Sequence, residues 1–418
     1  MKRAIFFLTL LFPCAIIFAQ DKALLEMLAQ KGMLTNQEIT SIAKESVAVM
    51  RDTAKSKSLQ IFGLTQLQYQ NIAVTSYNDS VSADGARTNS LAVKHVFLGM
   101  SADLGADWSL EVNLDLCSSA VSQAYFDYTY IRKKIDYGML KGTLDLGYRK
   151  AMFGYEENLS AAKLMTIERS IATYYFTGGR NDRKLGFGGR YVGIFWNGEV
   201  TFLDGLNYGF SITNPYNCYP TGAPDNAGNS LNFFANIFYT KKFENFSFKT
   251  GLNFGYGSEA NSISANKHGS ILGLNPYFAF SLYDFNFWAD FFYADVEYGK
   301  NLASENSQPI AVNVNFEYRF NIGEYGQIAP TFRYSYVDTD GRGILPSDGI
   351  SAANNVAGFG AYHNVQSFFA GVSWYFIGDD FKLQVGYEFD QFNGTASNRH
   401  ARQFADANVF RIQLQNRF

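Results

Sequence analysis

The stretch NVFRIQLQNRF, residues 408–418, alternates apolar and polar side chains with a period of two. Successive side chains of a β-strand point to opposite faces of the sheet. One face would carry Phe410, Ile412, Leu414 and Phe418, and the other Arg411, Gln413, Gln415 and Arg417. This single strand fits a soluble barrel and a membrane barrel equally well, so the rest of the chain has to decide which face is buried.

The same alternation recurs from residue 59 onward, for example in FSFKTGLNFGY at 246–256 and VNVNFEYRF at 312–320. Segments of about ten residues with this period are the signature of a transmembrane β-barrel strand. We predict about sixteen antiparallel strands, at 59–75, 90–104, 107–117, 121–133, 138–150, 184–195, 198–213, 231–241, 246–256, 271–282, 285–297, 310–320, 326–338, 366–377, 380–392 and 408–418.

The predicted connections alternate between short and long. Short turns fall at 104–107, 134–137, 243–245, 283–284, 321–325 and 378–379, and long loops at 154–183, 214–230, 257–270, 299–309, 339–365 and 393–407. Short turns on one rim and long loops on the other are typical of outer-membrane barrels. The fold prediction is therefore an all-β transmembrane barrel in the lipid of a bacterial outer membrane.

The composition agrees with this class. The chain has 39 Phe, 27 Tyr and 37 Gly but only 8 Pro, which suits long strands joined by tight turns. Tyrosines near strand ends, such as Tyr128 and Tyr130, are candidates for the aromatic girdles at the membrane surface. The formal net charge of −3 gives no indication of a nucleic-acid partner.

The N-terminal region divides into two parts. Residues 1–19 have the basic start, apolar centre and small final residue of a signal peptide, and a lipoprotein signal ending at Cys14 is the alternative. Residues 20–57 carry apolar residues at helical spacing and a capping box at Thr35–Glu38, which predicts a short periplasmic helical or coiled segment and linker. The barrel domain would then span residues 58–418, and no later run of apolar residues is long enough for a spanning helix.

The charged loop at 154–183 is the candidate pore constriction. A loop of this length is functional or disordered, and folding it into a water-filled lumen would set selectivity by rings of charge. Its candidate residues are Glu156, Glu157, Lys163, Arg169, Arg180 and Arg183. The alternative is surface charge without a role in the pore.

Further basic residues fall on the polar faces of the predicted strands. The pore-lining candidates are Arg149, Arg190, Lys249, Arg319, Arg333 and Lys382. Arginine suits oxyanions because its fork binds two oxygens at once. Acidic residues share these faces, for example Asp145, Asp290 and Glu388, so a preference for anions is open at this point.

Catalytic and metal sites are not indicated. Ser160–Lys163, Ser230–Asn232 and Lys249–Gly251 match three short motifs of penicillin-recognising serine enzymes, but the third lies in a β-strand without the α/β context that this chemistry needs. The four histidines lack metal-ligand spacing. We therefore expect neither an enzyme nor a cofactor. Cys117 and Cys218 are expected to be free thiols, with a disulfide between them as the alternative.

Four stretches resemble the phosphate-selective porin O/P family: ALLEMLAQKGMLTNQEI at 23–39, KHVFLGMSADLGADWSLEVNLDL at 94–116, LDLGYRKAMFGYEENLSAAKLMTIERS at 144–170 and RIQLQNRF at 411–418. The third is the most distinctive and is similar to the strand that enters the family's constriction loop. The resemblance implies a sixteen-stranded, trimeric barrel with the third loop inside. It also implies that the barrel assembly machinery reads the C-terminal strand through Phe418.

The expected function is that of a porin, which passes small hydrophilic solutes down their gradient, and the sequence leaves a preference for anions such as phosphate open. The family's arginine ladder and lysine cluster do not map onto this sequence, so phosphate specificity does not transfer. The alternative function is a structural or adhesive barrel that contacts the cell wall through its N-terminal helix.

Overall fold

The computed structural model describes residues 58–78, 81–117, 126–138, 140–178, 183–214, 231–259, 269–298, 305–350 and 360–418. The expected signal peptide, the helical segment at 20–57, Arg180 and Cys218 lie outside these residues. The chain forms two compact units, residues 1–58 with 103–106, and residues 59–102 with 107–418. In the first unit, the Asp103 amide donates a 2.9 Å hydrogen bond to the Ser58 carbonyl. The second unit is described below.

The second unit is a closed barrel of sixteen antiparallel strands. They are β1 Leu59–Asn78, β2 Val81–Gly105, β3 Trp108–Asp115, β4 Phe126–Tyr137, β5 Leu140–Lys150, β6 Arg190–Glu199, β7 Leu206–Thr213, β8 Asn232–Lys242, β9 Phe246–Glu259, β10 Gly269–Leu282, β11 Phe285–Val296, β12 Ile310–Tyr318 with its continuation Phe320–Asn321, β13 Gln327–Asp338, β14 Asn364–Ile377, β15 Phe381–Asn393 and β16 Gln403–Arg417.

Strand β16 closes the barrel by pairing with β1. Leu64 lies opposite Arg417 and Asn78 lies opposite Gln403, in an unbroken antiparallel register. The other strands pair with their neighbours along the chain. Closure leaves no sheet edge, which a membrane requires because lipid offers no hydrogen bonds to an exposed backbone.

The alternation of side chains is oriented as a membrane barrel requires. On β16, Arg411, Gln413 and Gln415 are buried inside the barrel, whereas Leu414 is 38% exposed on the outside. On β7, Phe210 is 52% exposed while its neighbour Ser211 is buried. The predicted fold class and its sidedness are therefore confirmed.

Two predicted strands have different bounds. The strand predicted at 184–195 starts only at Arg190. Leu185 and Phe187 show the same alternation, but they lie before the strand and are buried inside the barrel against a helix. The strand predicted at 198–213 starts at Leu206. Phe202 is 82% exposed in the turn before it, so its apolar character does not reflect a place in the sheet.

Strand ends also differ from the prediction. The turn expected at 134–137 is part of β4, which pairs with β5 as far as Tyr137 and Leu140. Strands β1 and β2 pair as far as Asn78 and Val81, beyond the predicted ends at 75 and 90. Backbone hydrogen bonds continue a hairpin past the apolar band, where the side-chain pattern fades.

The helices of the described chain are short. They are α1 Tyr155–Asn158, the 3₁₀ turn Ala161–Lys163, α2 Ile171–Thr177, the 3₁₀ turn Gly323–Tyr325 and α3 Pro346–Gly349. The Ser170 hydroxyl caps α2 by accepting a 3.1 Å hydrogen bond from the Thr173 amide. None of these helices is long and apolar enough to cross a membrane.

Candidate constriction and solute passage

The described residues 151–178 and 183–189 between β5 and β6, which we call the inner loop, fold into the barrel. Its apolar residues form a dry cluster with the wall: Phe176 stacks on Phe292 of β11 with ring centroids 5.1 Å apart, and Phe153 stacks on Phe187 at 4.5 Å. All four side chains are at most 2% exposed. The barrel therefore has an apolar core within its lumen, supplied by the inner loop.

Polar contacts fix the inner loop to the back wall, by which we mean strands β10–β16. Asp290 of β11 accepts a 2.9 Å hydrogen bond from the Tyr155 amide at the start of α1. The Lys382 ammonium of β15 donates to the Leu164 carbonyl at 2.8 Å. The Gln415 amide donates to the Ala162 carbonyl at 3.1 Å. The loop is thus held along its length by side chains of the barrel.

Glu388 of β15 is the charged centre of this back-wall contact. It accepts a short hydrogen bond from Arg333 and a 3.1 Å hydrogen bond from Arg411. Arg333 also donates to the Glu168 carbonyl of the inner loop at 2.6 Å. Both guanidinium groups are almost fully buried. A buried ion group of this kind survives only when its charges are paired.

One ion pair attaches the inner loop to β2, the second strand beyond the back wall. Lys94 of β2 lies 2.7 Å from the Glu168 carboxylate, which also accepts hydrogen bonds from Gln68 at 3.0 Å and Tyr174 at 2.7 Å. The inner loop is therefore also attached to β1 and β2, which adjoin the back wall.

A cavity of about 850 Å³, which we call the front cavity, is lined by the inner loop, by strands β1–β6 and by a few residues of β9 and of the chain near β16. Two of its described lining residues are carboxylates, Asp127 and Asp380, and six are Lys or Arg. The six are Arg149, Lys150, Arg169, Arg190, Lys249 and Arg417. Its surface therefore carries an excess of positive charge.

The Glu157 carboxylate of the inner loop partly neutralises the positive charge of two of these side chains. It pairs closely with Lys150 of β5 and lies 3.2 Å from Nε of Arg169. Thr177 donates a 3.2 Å hydrogen bond to it. Arg169 also donates to the Leu159 carbonyl at 2.9 Å, which holds the guanidinium at the cavity surface.

The cations of the strand wall are also paired. Arg190 pairs closely with Asp127, and Arg149 pairs closely with Asp145. The Arg149 guanidinium also lies 5.3 Å from the centre of the Tyr130 ring. These contacts fix the direction of each side chain.

Lys249 of β9 is the exception. Among the described residues it has no carboxylate partner, and its ammonium lies 4.2 Å from the centre of the Phe238 ring and 5.7 Å from that of Tyr155. Lys249 also lines a second cavity of about 260 Å³, the lower cavity, together with Lys163 and Arg319. Lys249 is thus the described cation that faces both spaces with its charge unpaired.

The remaining candidates lie elsewhere. Glu156 is fully buried and accepts hydrogen bonds from Ser170 at 2.9 and 2.8 Å, so it belongs to the attachment of the inner loop. Arg333 and Lys382 face the lumen but are covered by that loop. The Arg183 carbonyl accepts a 2.6 Å hydrogen bond from Arg342.

Arg319 and Phe418 lie near the short-turn rim of the barrel. Arg319 pairs with Glu317 at 2.7 Å and stacks over Tyr375. The Phe418 carbonyl accepts a 3.0 Å hydrogen bond from the Gly63 amide, which attaches the end of β16 to β1. Phe418 is 65% exposed and lines the front cavity.

Sequence reasoning missed several residues of the front cavity. Tyr128 and Tyr130, predicted for the aromatic girdle, line the cavity instead. Tyr130 donates a 2.7 Å hydrogen bond to Glu111, and Arg132 lies on the same face of β4. The sequence does contain a signal for this placement. Tyr128, Tyr130 and Arg132 share one face of β4, and because Arg132 is charged, that face is expected to point into the barrel.

No group of three or more His, Cys, Asp or Glu side chains is arranged to hold a metal ion within the described part of the chain. Cys117 is a half-buried free thiol. Its possible partner Cys218 lies outside the described residues.

The family model for phosphate-selective porin O and P matches residues 67–418, which is most of the chain. The chain belongs to this porin family. It is therefore an outer-membrane channel protein of bacteria, and its family and fold are those of channels rather than of enzymes. A comparison with curated proteins found no match.

Solved porin structures share the fold. The outer membrane channel DcaP of Acinetobacter baumannii has a TM-score of 0.56 at 12% identity, over 87% of this chain and 98% of that one. OprB of Pseudomonas putida gives 0.55 at 10% identity, over 88% and 96%. The anion-selective porin from Comamonas acidovorans gives 0.54 at 10% identity, over 87% and 100%. At these identities the likeness concerns the fold alone.

Proposed function

We propose that this porin passes small hydrophilic solutes by diffusion, prefers anions, and is narrowed by the inner loop. The observation that carries the proposal is the front cavity, where six cations and two carboxylates line the space between the loop and the wall. An excess of fixed positive charge in a low-dielectric channel concentrates anions and repels cations. Phosphate is one candidate solute among such anions.

Removing the unpaired charge of Lys249 tests the preference directly. We expect Lys249→Gln to lower the chloride-to-potassium permeability ratio by about twofold to fivefold, since one charge a few ångströms from an ion in water is worth about 1 kcal/mol. Reversal potentials in a potassium chloride gradient across planar bilayers measure this ratio. Arg169→Gln should act in the same direction.

Lys241→Gln is the matched control, because Lys241 pairs with Asp204 of a turn and does not line the front cavity. It should leave the reversal potential unchanged. If Lys249→Gln also leaves the potential unchanged, the front cavity does not determine ion preference, and the proposal of anion selectivity fails.

A structural or adhesive barrel is the alternative function. The inner loop fills part of the lumen, and this observation favours a barrel that does not conduct. The two proposals differ in conductance. A porin gives discrete open-channel steps in a planar bilayer, and a barrel with a filled lumen gives none. Absence of steps from the purified, folded chain would therefore favour the structural function.

The remaining features are proposals of the same kind. We propose cleavage of a signal peptide at residues 1–19, a periplasmic segment at 20–57, assembly as a homotrimer, and recognition of Phe418 by the barrel assembly machinery. Mass measurement of the detergent-solubilised protein tests the first and third of these. Removal of Phe418 should reduce the amount of folded barrel in the outer membrane.

A further inference from the structure

The lining of the front cavity is divided between two chemistries. Strands β1 and β2 contribute Phe62, Leu64 and Phe97, which point inward and are apolar. Leu64 lies opposite Phe97 in the sheet, and Phe62 lies opposite Gly99, so the three side chains form one continuous patch. We call it the apolar patch. Further along β1 the inward residues become Gln66, Gln68 and Gln70.

The patch presents a flat aromatic surface. Phe97 stacks on His95, with ring centroids 4.8 Å apart and planes inclined by 21°. Both residues line the front cavity and are partly exposed to it. A small inorganic ion gains nothing from such a surface, whereas a flat apolar group gains by covering it.

The opposite side of the same cavity carries most of its positive charge, since Arg417 beside Leu64 pairs closely with Asp380. Arg149 and Lys150 of β5 and Arg190 of β6 line it there, and Arg169 faces them from the inner loop. Strands β3 and β4 separate this group from the apolar patch, with Asn113 and Tyr128 between them. Guanidinium groups bind carboxylates through two parallel hydrogen bonds.

We infer that the front cavity selects organic carboxylates with a flat apolar body, such as aromatic acids, over small inorganic anions. The carboxylate meets the arginines while the ring covers the apolar patch. A volume of about 850 Å³ accommodates such a solute. The inference rests on the proposed function, because it concerns the same passage, and it adds a class of solute to it.

The test uses the full-length purified channel in planar bilayers carrying a chloride current. Benzoate, acetate and phosphate are added in turn as potassium salts, and the concentration that halves the chloride current is measured for each. We expect benzoate to act at a concentration about tenfold lower than acetate, because covering the ring adds apolar burial to the same carboxylate contact. Phosphate should be no stronger than acetate.

Phe97→Ala should raise the half-blocking concentration of benzoate about tenfold and leave that of acetate unchanged. Leu98→Ala is the matched control, since Leu98 is the neighbouring residue on the lipid side and is 42% exposed there. Phe97→Leu keeps the apolar volume without the flat ring and should give an intermediate value. It also keeps the test available if the alanine variant does not assemble.

Equal half-blocking concentrations for benzoate and acetate in the native channel would overturn the inference, and so would a tighter block by phosphate. An equal loss for both carboxylates in the Phe97 variants would overturn it as well. These results leave the chloride-to-potassium ratio untouched. That ratio tests the proposed function separately, so the failure of one can be told from the failure of the other.

Discussion

Glu388 and Glu157 each bridge two cations, but they do so on opposite sides of the inner loop. Glu388 pairs with Arg333 and Arg411, whose side chains are 1% and 3% exposed. Glu157 pairs with Lys150 and Arg169, whose side chains are 20% and 15% exposed. The first group is sealed between loop and wall, and the second borders the front cavity.

Because the two groups differ in access to water, a substitution in each group is expected to change a different property of the protein. In the sealed group, the charges are desolvated, and each depends on the others for compensation. At the cavity, water screens the charges, and under the proposed function an ion in the cavity interacts with them. We therefore expect changes at Glu388 to affect stability and changes at Glu157 to affect selectivity.

The largest effect is expected from Glu388→Ala, which leaves two buried guanidinium groups without their carboxylate. Removing one partner of a buried ion group lowers the free energy of unfolding by about 3–5 kcal/mol. Urea unfolding followed by tryptophan fluorescence in detergent measures it. Glu199→Ala removes an exposed partner of Lys141 and should change stability by less than about 1 kcal/mol. If both variants lost the same free energy of unfolding, the charges around Glu388 would not be excluded from water.

Glu157→Gln should lower stability less than Glu388→Ala and should measurably change the ion selectivity of the channel. The change removes one negative charge behind Lys150 and Arg169, so the chloride-to-potassium permeability ratio should rise. Loss of the charged hydrogen bonds should lower the free energy of unfolding by about 1–3 kcal/mol. Reversal potentials and urea unfolding measure the two quantities. A ratio that falls or stays constant would contradict the assignment of this group to the passage.

The smallest effect is expected at His363, which lies in the long loop between β13 and β14, above the back wall. Its Nε2 lies 3.2 Å from the Asp338 carboxylate, and its Nδ1 lies 3.2 Å from the Ala396 carbonyl. The hydrogen bond to Asp338 raises the pKa of His363 and outweighs burial, which would lower it.

Because the folded pKa is raised, this stabilisation is fully present below the unfolded pKa of about 6.5 and is lost as pH rises through the folded pKa. The expected difference is about 1 kcal/mol between the two ends of this range. Urea unfolding at several pH values measures it, and His363→Gln should abolish that part of the pH dependence. His400→Gln is the control, since His400 is exposed in the next long loop. A native profile identical to that of His363→Gln would disprove the contribution.

Much of the barrel could be predicted because its alternation is a local property. In β9, β12 and β16 each apolar side chain has a polar neighbour, and no distant contact is needed to assign the two faces. Where apolar residues alternate for another reason, the prediction was wrong. Leu185 and Phe187 resemble a strand but pack on α2, where their amides donate 3.0 Å hydrogen bonds to the Tyr175 and Phe176 carbonyls.

The candidate site was less predictable. Arg169 and Arg190 were named from the sequence and line the front cavity, but Arg333 and Lys382 carried the same signal and lie beneath the inner loop. Lys150 was missed because it is the last residue of its strand and follows another basic residue, Arg149. With two charged residues in a row, the alternation does not assign either one to the lumen or to the lipid face. A strand pattern shows that a residue faces the lumen, but it does not show what covers the residue there.

The amino-acid sequence by itself determined the strand number and the sidedness of the barrel, because lipid outside and water inside impose a two-residue period on every strand. Only the tertiary structure decided which lumenal charges line the front cavity and which are covered by the inner loop. The apolar side of the inner loop binds one wall through its buried phenylalanines, and the space that remains lies along β1–β6. That choice depends on contacts between residues far apart in the chain, which no local period records.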